Sequence, residues 1–203
     1  MTNERTYNRR FDYRDLKNVK QRLATYDLHA EQTIKYQLED AETVMCMVMQ
    51  EFLGSDFTWL PEYDQVAEWL SNTNGKGLLL YGDIGVGKTA MCRFVIPGIF
   101  EVCFHKVFAY YDYYDINKKA DEIMSKKFAV IDDIGNEEQY SHYGNKQWML
   151  PQIIDRAEKN NNLLVLTTNL NGDDLQQKYG SRTLDRIIAI TRRIKIEHKS
   201  FRK

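Results

Sequence analysis

The run GDIGVGKT, Gly82 to Thr89, sets glycines, a lysine and a hydroxyl in the order G-x-x-x-x-G-K-[ST]. Side chains of these types at this spacing do phosphate chemistry. Gly82, Gly85 and Gly87 let the backbone turn so that successive N–H groups face an anion. Asp83, Ile84, Val86 and Ala90 complete the stretch expected to wrap it. Lys88 is then placed to reach the β and γ phosphates of ATP or ADP, and the Thr89 hydroxyl to ligate Mg²⁺. A chance glycine-rich turn is the competing reading, and the apolar run before the motif with the helical segment after it argues against that.

A magnesium ion held this way takes a second protein oxygen from the end of a neighbouring buried strand. FAVIDDIG offers four apolar residues and then Asp132 and Asp133. Asp132 suits the metal, and Asp133 is placed to polarise an attacking water. An aspartate is one methylene shorter than the glutamate more often found there, and a strand end or helix cap is the plainer alternative for the pair. The next apolar run ends in TTN. Asn169 is thereby expected at the carboxyl edge of the sheet, where a neutral amide holds the attacking water, although NLNG also suits a simple turn. In YGSRTLDRI, Arg182 and Arg186 lie four residues apart on one helical face. They are ordinary surface cations or they serve a transferring phosphoryl group.

The elements that must position these residues follow from the hydrophobic pattern. GLLLY, KVFAY, FAVID, LLVLTT and IKIE are short apolar runs separated by helical segments. Strands buried on both faces have this appearance, and the helices between them imply parallel crossovers. The expected fold is an α/β sandwich with a parallel sheet. Helices are expected over Glu62 to Ser71 and from Gly87 to about Ile96, with Pro97 closing or kinking the second. Tyr111 to Lys127 leaves room for about one helix. The first fifty-odd residues carry apolar side chains at helical spacing and no proline before Pro61. The expected division is a helical N-terminal region over residues 1–57 and a nucleotide-binding domain over 58–203.

Composition narrows the function classes. The formal net charge is −1, so no global field steers the chain to nucleic acid or an anionic membrane. From Gln176 to Lys203, nine Lys and Arg face two acids, a local excess suited to phosphates. Tyr36 to Asn72 holds eight acids and no Lys or Arg, which suits a solvated face or a protein partner. Cys46, Cys92 and Cys103 have no paired spacing and imply buried thiols in a reducing compartment. VMCMVM is too short to span a bilayer, so a cytoplasmic protein without membrane attachment is expected. The cluster YYDYYD could stack bases, but its aspartates repel phosphates, and core packing is the better use of its tyrosines.

Taken in order, GDIGVGKT, FAVIDDIG, LLVLTTN, YGSRTLDRI and the terminal KSFRK resemble the AAA+ ATPase core of DnaC-type bacterial helicase loaders and their IstB-type transposition relatives, over roughly Glu62 to Lys203. The resemblance implies a P-loop sandwich that self-associates through its ATPase domain. Arg182 would be an arginine finger acting in trans with Arg186 in support, Asn169 a first sensor, and Arg202 a second sensor contacting nucleotide in its own subunit. It further implies a slow ATP-driven switch that places a replicative hexameric, DnaB-like helicase on single-stranded DNA, gripping it through the N-terminal region. The alternative is an IstB-like ATPase regulating transposition on duplex DNA. A small-molecule P-loop kinase fits TTN and the G-x-R-x-x-D-R box less well.

Overall fold

Alternating side chains along fully apolar strands must be buried on both faces at once, and the chain answers with a three-layer arrangement. The computed structural model describes residues 34–54, 57–142 and 145–197. The chain divides into two units, residues 1–32 and 33–203, and the second holds every described element. Its strands are β1 (Gly77–Gly82), β2 (Ala109–Asp112), β3 (Phe128–Asp132), β4 (Tyr140–His142), β5 (Asn145–Gln147), β6 (Leu163–Thr168) and β7 (Thr191–Ile196). Five form one sheet in the order β2-β3-β6-β1-β7 with every pairing parallel, while β4 and β5 make a separate antiparallel pair.

The pleat sorts the strand residues between two cores. Leu78, Leu80, Val130, Leu163 and Val165 face one, and Leu79, Ala129, Ile131, Leu164 and Leu166 face the other. Over the first lie α1 (Ala41–Leu53), α2 (Pro61–Ser71), α3 (Lys88–Ala90), a π-helical turn (Met91–Val95) and α4 (Ile96–Phe104). The second is covered by α5 (Tyr113–Lys118), α6 (Ala120–Ser125), α7 (Leu150–Asn160), α8 (Gly172–Tyr179) and α9 (Ser181–Ile190). The expected α/β sandwich with a parallel sheet is the fold observed.

Two local expectations change. Pro97 does not close the helix after the glycine loop, which runs on to Phe104. The turn before it widens instead, so that the Ile96 N–H reaches back five residues to the Met91 carbonyl, and Pro97 takes an early position of α4 where a missing N–H is tolerated. The stretch between β2 and β3 holds two short helices rather than one. The first opens with a reciprocal capping box between Asp112 and Asp115.

α1 begins after Asp40, whose φ is +50°, and buries Ala41, Met45 and Met49 at successive i, i+4 positions. Ahead of it, Tyr36 exchanges hydrogen bonds with Thr73: its N–H donates to the Thr73 hydroxyl at 3.0 Å, and its carbonyl accepts the Thr73 N–H at 3.0 Å. Its ring lies 5.3 Å from Phe100 and 5.2 Å from Phe104. Tyr36, Ala41, Met45 and Met49 therefore share the core of the sheet-bearing unit; the residues before Ile34 lie outside the described residues.

Phe100 is the hub of this aromatic cluster, fully buried and within 5.1 Å of Phe108 as well. Phe100→Ala should lower stability by about 3–5 kcal/mol, seen as a lower urea midpoint. Val102→Ala, on the same helix but 73% exposed, should move it by no more than about 0.5 kcal/mol.

Candidate functional site

The glycine loop leaves β1 at Gly82, where φ is +134°. A Cβ there would stand 2.2 Å from the Ile196 carbonyl oxygen on β7, so both conformation and space require glycine. Val86, 1% exposed, pins the middle of the loop into the core, while Asp83 and Ile84 stay exposed. Gly87, at φ +89°, enters α3 with the Tyr63 hydroxyl oxygen 3.3 Å from where its Cβ would be. Burial and the neighbouring Glu62 push the Tyr63 phenol up to about 12, so it stays a neutral donor at physiological pH.

Lys88 is buried, with its Nζ turned into the loop. It donates to the carbonyls of Gly82 at 2.9 Å and Asp83 at 2.7 Å, and to Asn169 Oδ1 at 2.8 Å. Asn169, distant in sequence, thus stands at the phosphate loop as its place at the carboxyl end of β6 requires. Ala90 continues α3 behind it.

Asp132 ends β3 as a buried carboxylate with donors converging from four elements. Oδ1 accepts from Thr89 Oγ1 at 3.3 Å, from the Thr167 hydroxyl, and from Cys92 Sγ at 3.5 Å. Oδ2 accepts from the Tyr110 hydroxyl at 2.9 Å. Burial, and then the negative charge of Asp132, push the Tyr110 phenol and the Cys92 thiol up and keep both protonated. The Arg93 guanidinium lies 4.8 Å over the Tyr110 ring and fixes it from the other side. Thr89 and Asp132 place two oxygens together at the sheet edge beside the glycine loop, a donor pair that fits a hard cation such as Mg²⁺. Asp133 follows at φ +58°, and its N–H donates to Thr167 Oγ1 at 2.8 Å.

Arg182 and Arg186 part company in space. Arg182 sits exposed in the first turn of α9, without an ion pair among the described residues. Arg186, one turn on, is half-buried against α7, paired with Asp155 and bonded to Glu158 at 3.0 Å. Arg202 lies outside the described residues. Much of the C-terminal basic excess is also engaged: Lys178 donates to the Gly135 carbonyl at 2.6 Å, Arg192 pairs with Glu68 and Lys195 with Glu197.

Thr167 and Tyr110 are the site residues that motif spacing missed. A hydroxyl inside the apolar run LLVLTT was the available signal for the first. For the second there was none, since the contact arises from the β2–β3 pairing that aligns Asp112 with Asp132.

The model of the Novel STAND NTPase 3 family matches residues 57–191. No curated protein matches in sequence. The fold is shared with DnaI (20% identity, 63% of this chain and 73% of that one, TM-score 0.51). It is also shared with the DnaC helicase loader (19% identity, 80% and 93%, TM-score 0.50). AMPPCP-bound DnaA from Aquifex aeolicus aligns over 70% of this chain and 49% of its own, at 16% identity and TM-score 0.52. What these structures share with this chain is the parallel P-loop fold. No described helix is long and apolar enough to cross a membrane.

The Thr167 hydroxyl serves two partners at once, Asp132 and the Asp133 N–H. Thr167→Val should cost about 1–3 kcal/mol by leaving both short of a partner. Thr167→Ser should restore most of that loss in thermal unfolding.

Proposed function

This chain belongs to the Novel STAND NTPase 3 family, and from that premise we propose that it is an ATP-hydrolysing switch that loads a replicative hexameric helicase onto single-stranded DNA. The observation that carries this reading is the extent of the fold shared with the DnaC helicase loader, 93% of that chain and 80% of this one. It is supported by the retained phosphate loop, Asn169 and the G-x-R-x-x-D-R box.

Each residue then has a task. Lys88 exchanges the Gly82 and Asp83 carbonyls for β and γ phosphate oxygens, and its bond to Asn169 keeps that amide beside the reacting group. Thr89 and Asp132 would hold Mg²⁺, which would neutralise charge on the phosphate oxygens. Tyr110 and Thr167 keep the Asp132 carboxylate aimed at that position. Asp133 accepts a proton from the attacking water that Asn169 orients. Arg182, exposed and unpaired among the described residues, extends to the ATP of a neighbouring subunit. Arg186 clamps α9 to α7, giving Arg182 a fixed base. Arg202 contacts nucleotide within its own subunit, and the N-terminal region 1–57 holds the helicase, with residues 1–32 making the direct contact.

Arg182→Ala should bind ATP within about twofold of wild type yet lose about 10³-fold in turnover, measured by fluorescent-nucleotide titration and phosphate release. An equal loss of affinity would count against action in trans. Removal of residues 1–32 should abolish co-purification with a replicative helicase while leaving nucleotide binding intact. A truncated chain that retains the helicase would place the grip elsewhere.

A further inference from the structure

Glu137 is a carboxylate only 4% exposed that the nucleotide chemistry does not use. It sits in the loop after β3, four residues beyond Asp133. One carboxylate oxygen accepts from the Gly135 N–H at 2.8 Å, and the other accepts from the Tyr179 hydroxyl. Lys178, the preceding residue of α8, donates to the carbonyls of Gly135 at 2.6 Å and Glu137 at 3.1 Å, with its Nζ 4.1 Å over the Trp148 ring. The loop is thus pinned at several points to the last turn of α8.

The two ends of this arrangement are the informative part. At one end the loop is continuous with Asp133, and β6 holds it there: Thr167 takes the N–H groups of Asp133 and Ile134, and Thr168 Oγ1 donates to the Ile134 carbonyl at 2.6 Å. At the other end, Tyr179 is the final residue of α8. Only Gly180, at φ +86°, and Ser181 separate it from Arg182 in the first turn of α9. Burying a carboxylate is costly without full hydrogen bonding, and an apolar contact would close the same gap. What the polar joint supplies is direction, because a phenol O–H on a carboxylate fixes an angle where an apolar contact would allow sliding.

We propose that Glu137 is a positioning residue. Through the Tyr179 hydroxyl it sets the start of α9, so that the arginine a subunit offers its neighbour is aimed from the loop carrying that subunit's own Asp133. This rests on the reading of Arg182 as acting in trans.

Mixing full-length chains tests it. An Arg182→Ala acceptor keeps an intact site but offers no arginine; a Lys88→Ala donor offers the arginine but lacks the phosphate-binding lysine. Their mixture should recover ATP turnover that neither shows alone. Tyr179→Phe placed in the donor should then cut the recovered turnover about tenfold to a hundredfold, the loss a misplaced group incurs. The same change in the acceptor should alter it by less than about twofold, because Thr167 holds Asp133 independently. Glu137→Leu, which removes both acceptors, should show the same asymmetry if Tyr179→Phe folds poorly. Equal losses in both placements, loss in the acceptor only, or no loss in either would overturn the proposal while leaving action in trans intact. Failure of the unmodified mixture to recover would remove action in trans, and the proposal with it.

Discussion

One buried carboxylate organises the nucleotide end of this molecule. Asp132 is drawn into the protein by β3, and a charge in that position is tolerable only if donors surround it. They come from the helical run after the glycine loop (Thr89 and Cys92), from β2 (Tyr110) and from β6 (Thr167). The register of the strands, the entry of the glycine loop and the placing of a half-buried tyrosine and a buried cysteine beside a negative charge are all conditions for that one group. Its partner on β6, Thr167, also ties the sheet to the loop after β3 by taking the N–H groups of Asp133 and Ile134.

The apolar layers meet this polar demand without competing with it. Strands with leucine, isoleucine and valine on both faces fill two separate cores, and the polar residues gather at the carboxyl ends where the strands run out. Aromatic packing around Phe100 occupies the face bearing α1, α2 and α4. The charged joints at Glu137 and Arg186 lie among α7, α8, α9 and the loop after β3.

What was legible in the sequence was whatever is contiguous. Gly82 to Thr89 carry their chemistry in eight adjacent positions, and Asp132 and Asn169 stand at the ends of apolar runs, so their places at the carboxyl edge of the sheet were legible. Thr167, Tyr110 and Glu137 were not legible as partners, because each contact is made by strand or helix adjacency across many residues. At Pro97, where closing or kinking the helix was expected, closure fails for a different reason. A proline implies a break only when the preceding turn cannot widen, and Met91–Val95 does widen. Arg182 and Arg186, alike in spacing, diverge because one faces acids on α7 and the other does not.

The reciprocal bonds between Tyr36 and Thr73 make the start of the described chain a strap fastened to the end of α2. At the other end of that helix, Tyr63 lies against Gly87 of the phosphate loop. The chain entering at Ile34 and the phosphate loop therefore lean on opposite ends of the same helix.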